Sequence, residues 1–275
     1  MTKHHAVDAH AHVFCGLDYP LSPQRLYTPH PVEAGTAVQF SAVLDAHGFS
    51  HALLVGAGPY RPDNSCMLSA IAVSKGRFKG IALVKPNITA AEMEYLVERG
   101  VVGIRINLMG YGQTQLQGPE AGRLLALLKD MNLFLQIHCQ KDDLAEAMPV
   151  LRKAGVKVMI DHFGRPDLTL GITQPGFAAL LEMGRSGNTI VKLSGPFRSS
   201  LAGYPYTDVD EYVAATIDAF TLDQCVWGSD WPFVDMHERV DYGPPATCIA
   251  RWLPDPADRE KVLWTTPARL FGFTD

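Results

Sequence analysis

Residues 133–162, LFLQIHCQKDDLAEAMPVLRKAGVKVMIDH, carry the pattern on which the fold turns. The apolar run at 133–139 reads as a strand, 142–154 has helical periodicity, and the apolar run at 156–162 reads as a second strand. A helix between two strands makes the strands parallel neighbours. The same alternation recurs in both directions. Strands are expected near 6–14, 50–56, 78–84, 101–108, 188–194 and 224–229, and helices near 36–47, 64–75, 89–99, 118–131, 175–186 and 208–221, with a last helix at 257–271. Eight strands, each followed by a helix or a helix-bearing loop, predict a parallel sheet closed on itself, a (β/α)8 TIM barrel of the α/β class. Periodicity alone also admits an open doubly wound sheet, but no GxGxxG follows the first strand, which argues against the dinucleotide-binding form.

No stretch reads as a linker, so residues 1–275 are expected to form a single domain. The net charge of -5 offers no basic footprint for nucleic acid and no cationic helix for a membrane surface. The expected partner is a small molecule, and the oligomeric state is not legible. The first residues lack the charged and apolar regions of a signal peptide, so the chain is expected in the cytoplasm. Its cysteines, Cys15, Cys66, Cys139, Cys225 and Cys248, are odd in number and form no CxxC pair, and they are read as free thiols. Cys139 follows His138 on a strand and faces the opposite way, which argues against a nucleophilic role.

A barrel of this kind carries its chemistry at the C-terminal ends of its strands. The first strand, VDAHAHVF, places Asp8, His10 and His12 at alternate positions, hence on one face. An isolated HxH is as readily a pair of hydrogen-bonded core histidines as a site. The other strand ends decide the matter. The fourth supplies Arg105 and Asn107, the fifth His138, and the sixth Asp161, His162 and Arg165. The seventh supplies Lys192, Ser194 and Arg198, and the eighth Asp230. Neutral imidazoles hold a divalent metal or polarise a carbonyl, and a carboxylate beside them takes a proton from water. Guanidinium forks suit carboxylates, so Arg105, Arg165 and Arg198 point to an anionic substrate, although a loop-fixing salt bridge explains Arg198 almost equally well. The Pro-rich loop at 15–35 follows the first strand and would lie over the barrel mouth.

DAHAHVF, GIRINLMG, IDHFGRPD, WGSDWP and the terminal PARLFGF, in this order over nearly the whole chain, resemble the amidohydrolase superfamily. The resemblance is to its 2-pyrone-4,6-dicarboxylate hydrolase and sugar-lactonase branch. It implies a distorted barrel that hydrolyses a lactone, with Asp230 as general base, and with His10, His12 and His162 around the scissile carbonyl. Arg105, Arg165 and Arg198 would hold substrate carboxylates or hydroxyls, with His138 and Asn107 beside them, and Tyr27 of RLYTP would face the substrate. Two positions depart from the branch. Tyr111 stands where pyrone-dicarboxylate hydrolases typically carry a second arginine, which weakens the case for a dicarboxylate. His138 resembles a metal-site histidine of the wider superfamily, so one divalent ion, zinc first, on His10, His12, His138 and Asp230 stands beside metal-independent hydrolysis. No bridging lysine or glutamate lies near Arg105, which argues against two metals. A sugar aldonolactonase and a metal-dependent decarboxylase of the same superfamily are the alternatives, the latter told apart by release of carbon dioxide.

Overall fold

The computed structural model describes residues 5–16, 19–236 and 238–274. Its eight strands are β1 (Val7–Ala11), β2 (His51–Val55), β3 (Phe78–Ala82), β4 (Val101–Asn107), β5 (Phe134–His138), β6 (Lys157–Ile160), β7 (Thr189–Ser194) and β8 (Cys225–Gly228). They lie in sequence order, each parallel to the next. The ring returns from β8 to β1 just beyond the strand end. The Asp230 N–H donates to the His10 carbonyl at 2.8 Å and the His12 N–H to the Trp231 carbonyl at 2.7 Å. The result is a nearly closed (β/α)8 barrel, as the periodicity predicts.

The outer layer consists of α1 (Ala37–His47), α2 (Ser65–Val73), α3 (Ala90–Val97), the single turn α4 (Leu108–Tyr111), α5 (Gly118–Asp130), α6 (Asp143–Ala154), α7 (Pro175–Arg185), α8 (Asp210–Phe220), α9 (Gly243–Trp252), α10 (Pro256–Glu260) and α11 (Thr266–Phe271). Thr36 with Gln39 and Thr89 with Glu92 form capping boxes that start α1 and α3 where the pattern sets them. Helix α9 escapes the periodicity because it opens with Pro244 and Pro245, which the first turn tolerates since its N–H groups have no helical partner. The last helix is not continuous either. A π turn at Lys261–Thr265 precedes Pro267, which has no N–H for the regular ladder. Among the described residues no helix is long and apolar enough to cross a membrane.

The barrel interior has two halves. Toward the strand N-termini, Val7, Ala9, Leu53, Ile81, Phe134, Ile190 and Val226 form an apolar plug, closed by Phe271 and Phe273. Burying a side chain such as Ile190 is worth roughly 1.5–3 kcal/mol. Further along the same strands the interior turns polar, with Gln136, Asp161 and Lys192 fully buried. A ring of buried apolar residues between strands and helices completes the core.

Two expectations need correction. Strict alternation puts Asp8 with His10 and His12, but a register irregularity between Asp8 and Ala11 reverses the facing of β1. Val7 and Ala9 therefore join the plug, and the Asp8 carboxylate accepts from Tyr242 Oη at 3.0 Å and from the Ser229 N–H at 2.9 Å. Burial raises its pKa to about 6. The cysteines are not all free: Cys15 and Cys66 form a disulfide across 51 residues of sequence. Sequence spacing hides it because only the adjacency of β1 and β2 brings the two together. Cys139, Cys225 and Cys248 are free and buried. His30 and His47 are exposed, whereas His51 is buried and packs against Trp264 and Phe273. His237 lies outside the described residues.

Candidate active site

The pleat carries side chains into the upper barrel at every second position, so Phe134, Gln136 and His138 on β5, and Ile190, Lys192 and Ser194 on β7, climb from plug to mouth. Two of the inward groups follow a strand rather than end it. His162 (φ 51°) and Asp230 (φ 65°) take left-handed backbone conformations directly after β6 and β8. Such conformations cost on the order of 1–3 kcal/mol each in a non-glycine residue, and surrounding packing has to hold them.

These groups line a cavity of about 230 Å³ at the C-terminal mouth. His12, His162 and Asp230 are buried at its floor, while Arg105, Arg165, Arg198, Tyr27 and Asn107 stand half-buried on its walls. His138 also lines it, and His10 lies behind His12. Trp231 stacks on Phe40 at 4.8 Å behind the floor.

Asp230 is the centre of the arrangement. Arg198 Nε donates to its Oδ2, and His10, His12 and His162 present Nε2 atoms 3.6, 3.7 and 3.7 Å from its oxygens. Burial, the largest influence, would raise its pKa, but the Arg198 charge together with the interactions of His162, His12 and His10 outweighs it and holds the carboxyl well below the ordinary carboxylate range. Burial likewise holds His162 and His138 well below the usual imidazole value, and His10 at about 3. An ionised carboxylate thus faces neutral imidazoles.

Hydrogen bonds fix the tautomers. His12 Nδ1 lies 2.9 Å from the Val55 carbonyl, which only accepts, so Nδ1 carries the proton and Nε2 a lone pair. Lys192 Nζ stands 3.2 Å from His10 Nδ1 and 2.7 Å from Gln136 Oε1. With the ammonium donating, His10 Nδ1 accepts and His10 Nε2–H points to His12 Nε2 at 3.4 Å, while Asp161 Oδ1, 3.2 Å from the same Nδ1, is the acceptor for the other tautomer. Ser194 Oγ meets His162 Nδ1 at 2.8 Å. With the hydroxyl donating there, His162 Nε2–H is left for an oxygen in the cavity.

Beneath this layer Asp161 gathers the cations. Its oxygens lie 3.4 Å from Lys192 Nζ and 3.4 Å from Arg105 Nε, and Gln136 Nε2 donates to Oδ2 at 3.0 Å. Arg105 also reaches His138 Nδ1 at 2.5 Å, leaving His138 Nε2 buried without a hydrogen-bond partner. Asn107 uses its side-chain oxygen to cap α4 through the Gly110 N–H at 3.2 Å.

The donor set was tested against a divalent cation. Tetrahedral zinc–nitrogen bonds of 2.0–2.1 Å require ligand atoms roughly 3.3–3.4 Å apart. The His10, His12 and Asp230 ligand atoms are separated by 3.4, 3.6 and 3.7 Å, so the triad fits in spacing and chemistry. A second triad, His10, Asp161 and His162, shares His10. His138, expected among the ligands, belongs to neither group among the described residues, because Arg105 holds its ring. For His10 to ligate through Nε2, its proton must move to Nδ1, where Asp161 Oδ1 at 3.2 Å is the available acceptor.

A family model for amidohydrolases matches residues 7–273. This chain belongs to the amidohydrolase family. It is 31% identical over 277 residues to a 2-pyrone-4,6-dicarboxylate hydrolase of Comamonas testosteroni, covering 97% of this chain and 90% of that protein. It is likewise 31% identical over 276 residues to a 4-sulfomuconolactone hydrolase of Rhizobium radiobacter, with the same coverage. Among solved structures it resembles a probable 2-pyrone-4,6-dicarboxylic acid hydrolase of Acinetobacter baumannii with citric acid bound, at TM-score 0.90 and 29% identity over 98% of this chain and 99% of that one.

Sequence reasoning assigned no role to four residues around the site, although Lys192 and Asp161 were read at strand ends. Lys192 and Gln136 are polar interruptions of the apolar strands TIVKLS and FLQIH, a signal that alternation can detect. Asp161 was visible as a strand end but not as the counter-ion of Lys192 and Arg105. Arg61, on the loop after β2, lines the cavity and carries no strand signal.

Proposed function

We propose that this amidohydrolase opens the ring of a small lactone bearing an acidic group, a carboxylated pyrone or muconolactone type of substrate. The observation that carries the reading is Asp230, ionised at the floor of a guanidinium-walled cavity among neutral imidazoles. Its relatives' names, a pyrone-dicarboxylate hydrolase and a sulfomuconolactone hydrolase, support it. At about 230 Å³ the cavity is smaller than pockets for drug-sized ligands and suits a single-ring metabolite.

In this mechanism the lactone carbonyl oxygen takes the His162 Nε2–H, and Asp230 accepts a proton as water attacks the carbonyl carbon. The ester C–O bond then breaks, and Asp230 returns its proton to the departing ring oxygen, giving a hydroxy or oxo acid. Donors aimed at the developing oxyanion supply the largest share of the rate, and the base adds about 10²-fold to 10⁴-fold. Arg165 orients a substrate carboxylate, while Arg198 keeps Asp230 ionised and Arg105 fixes His138. A divalent ion, zinc first, would be held by His10, His12 and Asp230 and would supply Lewis-acid polarisation of the carbonyl.

The test is a pH-indicator screen of pyrone dicarboxylates, muconolactones and aldonolactones, run before and after chelation, with metal analysis of the purified protein. Net acid production from a carboxylated lactone is the expected result. Release of carbon dioxide, or no lactone opened at all, overturns the reading. Activity that survives chelation assigns polarisation to the protein's own donors, and loss restored by one metal assigns it to the His10, His12 and Asp230 triad.

A further inference from the structure

We propose that Arg61, laid over the ring of Tyr111, reads a second carboxylate on the substrate, at the end away from the ester that Asp230 serves. The argument begins with charge. Four guanidinium groups line the cavity, those of Arg61, Arg105, Arg165 and Arg198. Two already have carboxylates: Arg198 bonds Asp230, and Arg105 lies against Asp161. The Arg165 guanidinium donates to a thioether, Met109 Sδ, at 3.2 Å, and Arg61 stands 4.3 Å from the centroid of the Tyr111 ring. Among the described residues, neither has a carboxylate within ion-pair distance.

A half-buried guanidinium on an aromatic face keeps its N–H edge open for an oxyanion, since stacking occupies the plane and leaves the fork free. Placement then follows from topology. Strands run in sequence order around the ring, so β2, which precedes Arg61, lies across the mouth from β6, which precedes His162 and Arg165, and β4, which precedes Tyr111, lies across from β8, which precedes Asp230. A ring bound with its ester at Asp230 therefore has its far edge at Tyr111, where the stacked Arg61 meets its far substituent. Arg165, beyond β6, takes the nearer acid. Two uncompensated cations on opposite walls match a dianion better than a monoanion, by Coulomb attraction and by paired hydrogen bonds at each end.

The substrate assignment rests on the lactonase reading, so the experiment separates the two. Binding of benzene-1,3-dicarboxylate and of benzoate, which lack an ester, is measured by calorimetry on the wild-type chain, Arg61→Met and Arg61→Lys. In parallel, kcat and KM are measured on a lactone diacid and the matching monoacid. The wild-type protein is expected to prefer the diacid. Arg61→Met should weaken diacid binding about ten-fold or more while moving benzoate less than about two-fold. Arg61→Lys keeps the charge without the fork and should recover part of the preference, which keeps the test informative even if the Met variant fails to fold. On lactones, the loss in Arg61→Met should fall on KM for the diacid.

Equal losses on both acids would make Arg61 a mere prop for Tyr111 and overturn the inference, as would wild-type protein that binds diacid no tighter than benzoate. If the calorimetric preference holds while no lactone is opened, the lactonase reading fails and the second anion subsite stands.

Discussion

Ile190 and Lys192 stand two residues apart on one strand, both are buried inside the barrel, and their surroundings are opposite. Ile190 belongs to a plug of aliphatic and aromatic side chains whose only requirement is volume. Lys192 is fully buried among Asp161, Gln136 and His10, and burial lowers its pKa to about 8. The lower half stabilises the barrel by removing apolar surface from water. The upper half does the reverse: it buries charges that are tolerable only because each meets a partner. Stability and chemistry are thus divided along the barrel axis, within the same strands.

That division can be broken from the top down. Asp230→Asn should lower kcat by about 10²-fold to 10⁴-fold with KM within a few-fold, because the water loses its base. Steady-state kinetics decide it, and turnover within a few-fold of wild type would remove Asp230 from the base role. Lys192→Met extends the apolar plug upward and strands Asp161 as a buried carboxylate with one cation fewer. The expected cost is about 3–5 kcal/mol by denaturant unfolding. Adding Asp161→Asn should recover most of that stability but not turnover, since the His10 tautomer would no longer be set by an ammonium.

Arg198→Met sharpens the comparison through pH. In the native site the Arg198 charge offsets burial and keeps Asp230 ionised well below the ordinary carboxylate range, so the acid limb of kcat/KM lies at low pH. Without that charge, burial is opposed less, the Asp230 pKa rises, and protonation removes the base at a higher pH. The acid limb should therefore move toward neutrality, with activity at alkaline pH affected least. The smallest effect belongs to the plug. Ile190→Val should cost roughly 0.5–1.5 kcal/mol in stability, read from thermal or denaturant melts, and leave kcat and KM unchanged.

Much of this was legible in the residues. Alternating apolar runs and helical periods locate all eight strands because the pleat and the helix impose fixed periods on whatever they bury. Polar residues at strand ends marked the cavity walls, since a barrel opens to solvent only there. Asp8 misled for a local reason: one irregularity in β1 turns a whole face, and alternation carries no sign of it. Arg61 was hidden because loops have no period.

The sequence by itself determined the barrel, the order of its strands and which residue types reach its mouth, all consequences of short-range stereochemistry and hydrophobic pattern. Only the tertiary structure decided who pairs with whom. Arg198 with Asp230, Lys192 with Asp161 and His10, and Cys15 with Cys66 are contacts between residues 31 or more apart along the chain. Ionisation and tautomer follow from such contacts, because they depend on distances of a few ångströms that closure of the ring creates and no stretch of sequence contains.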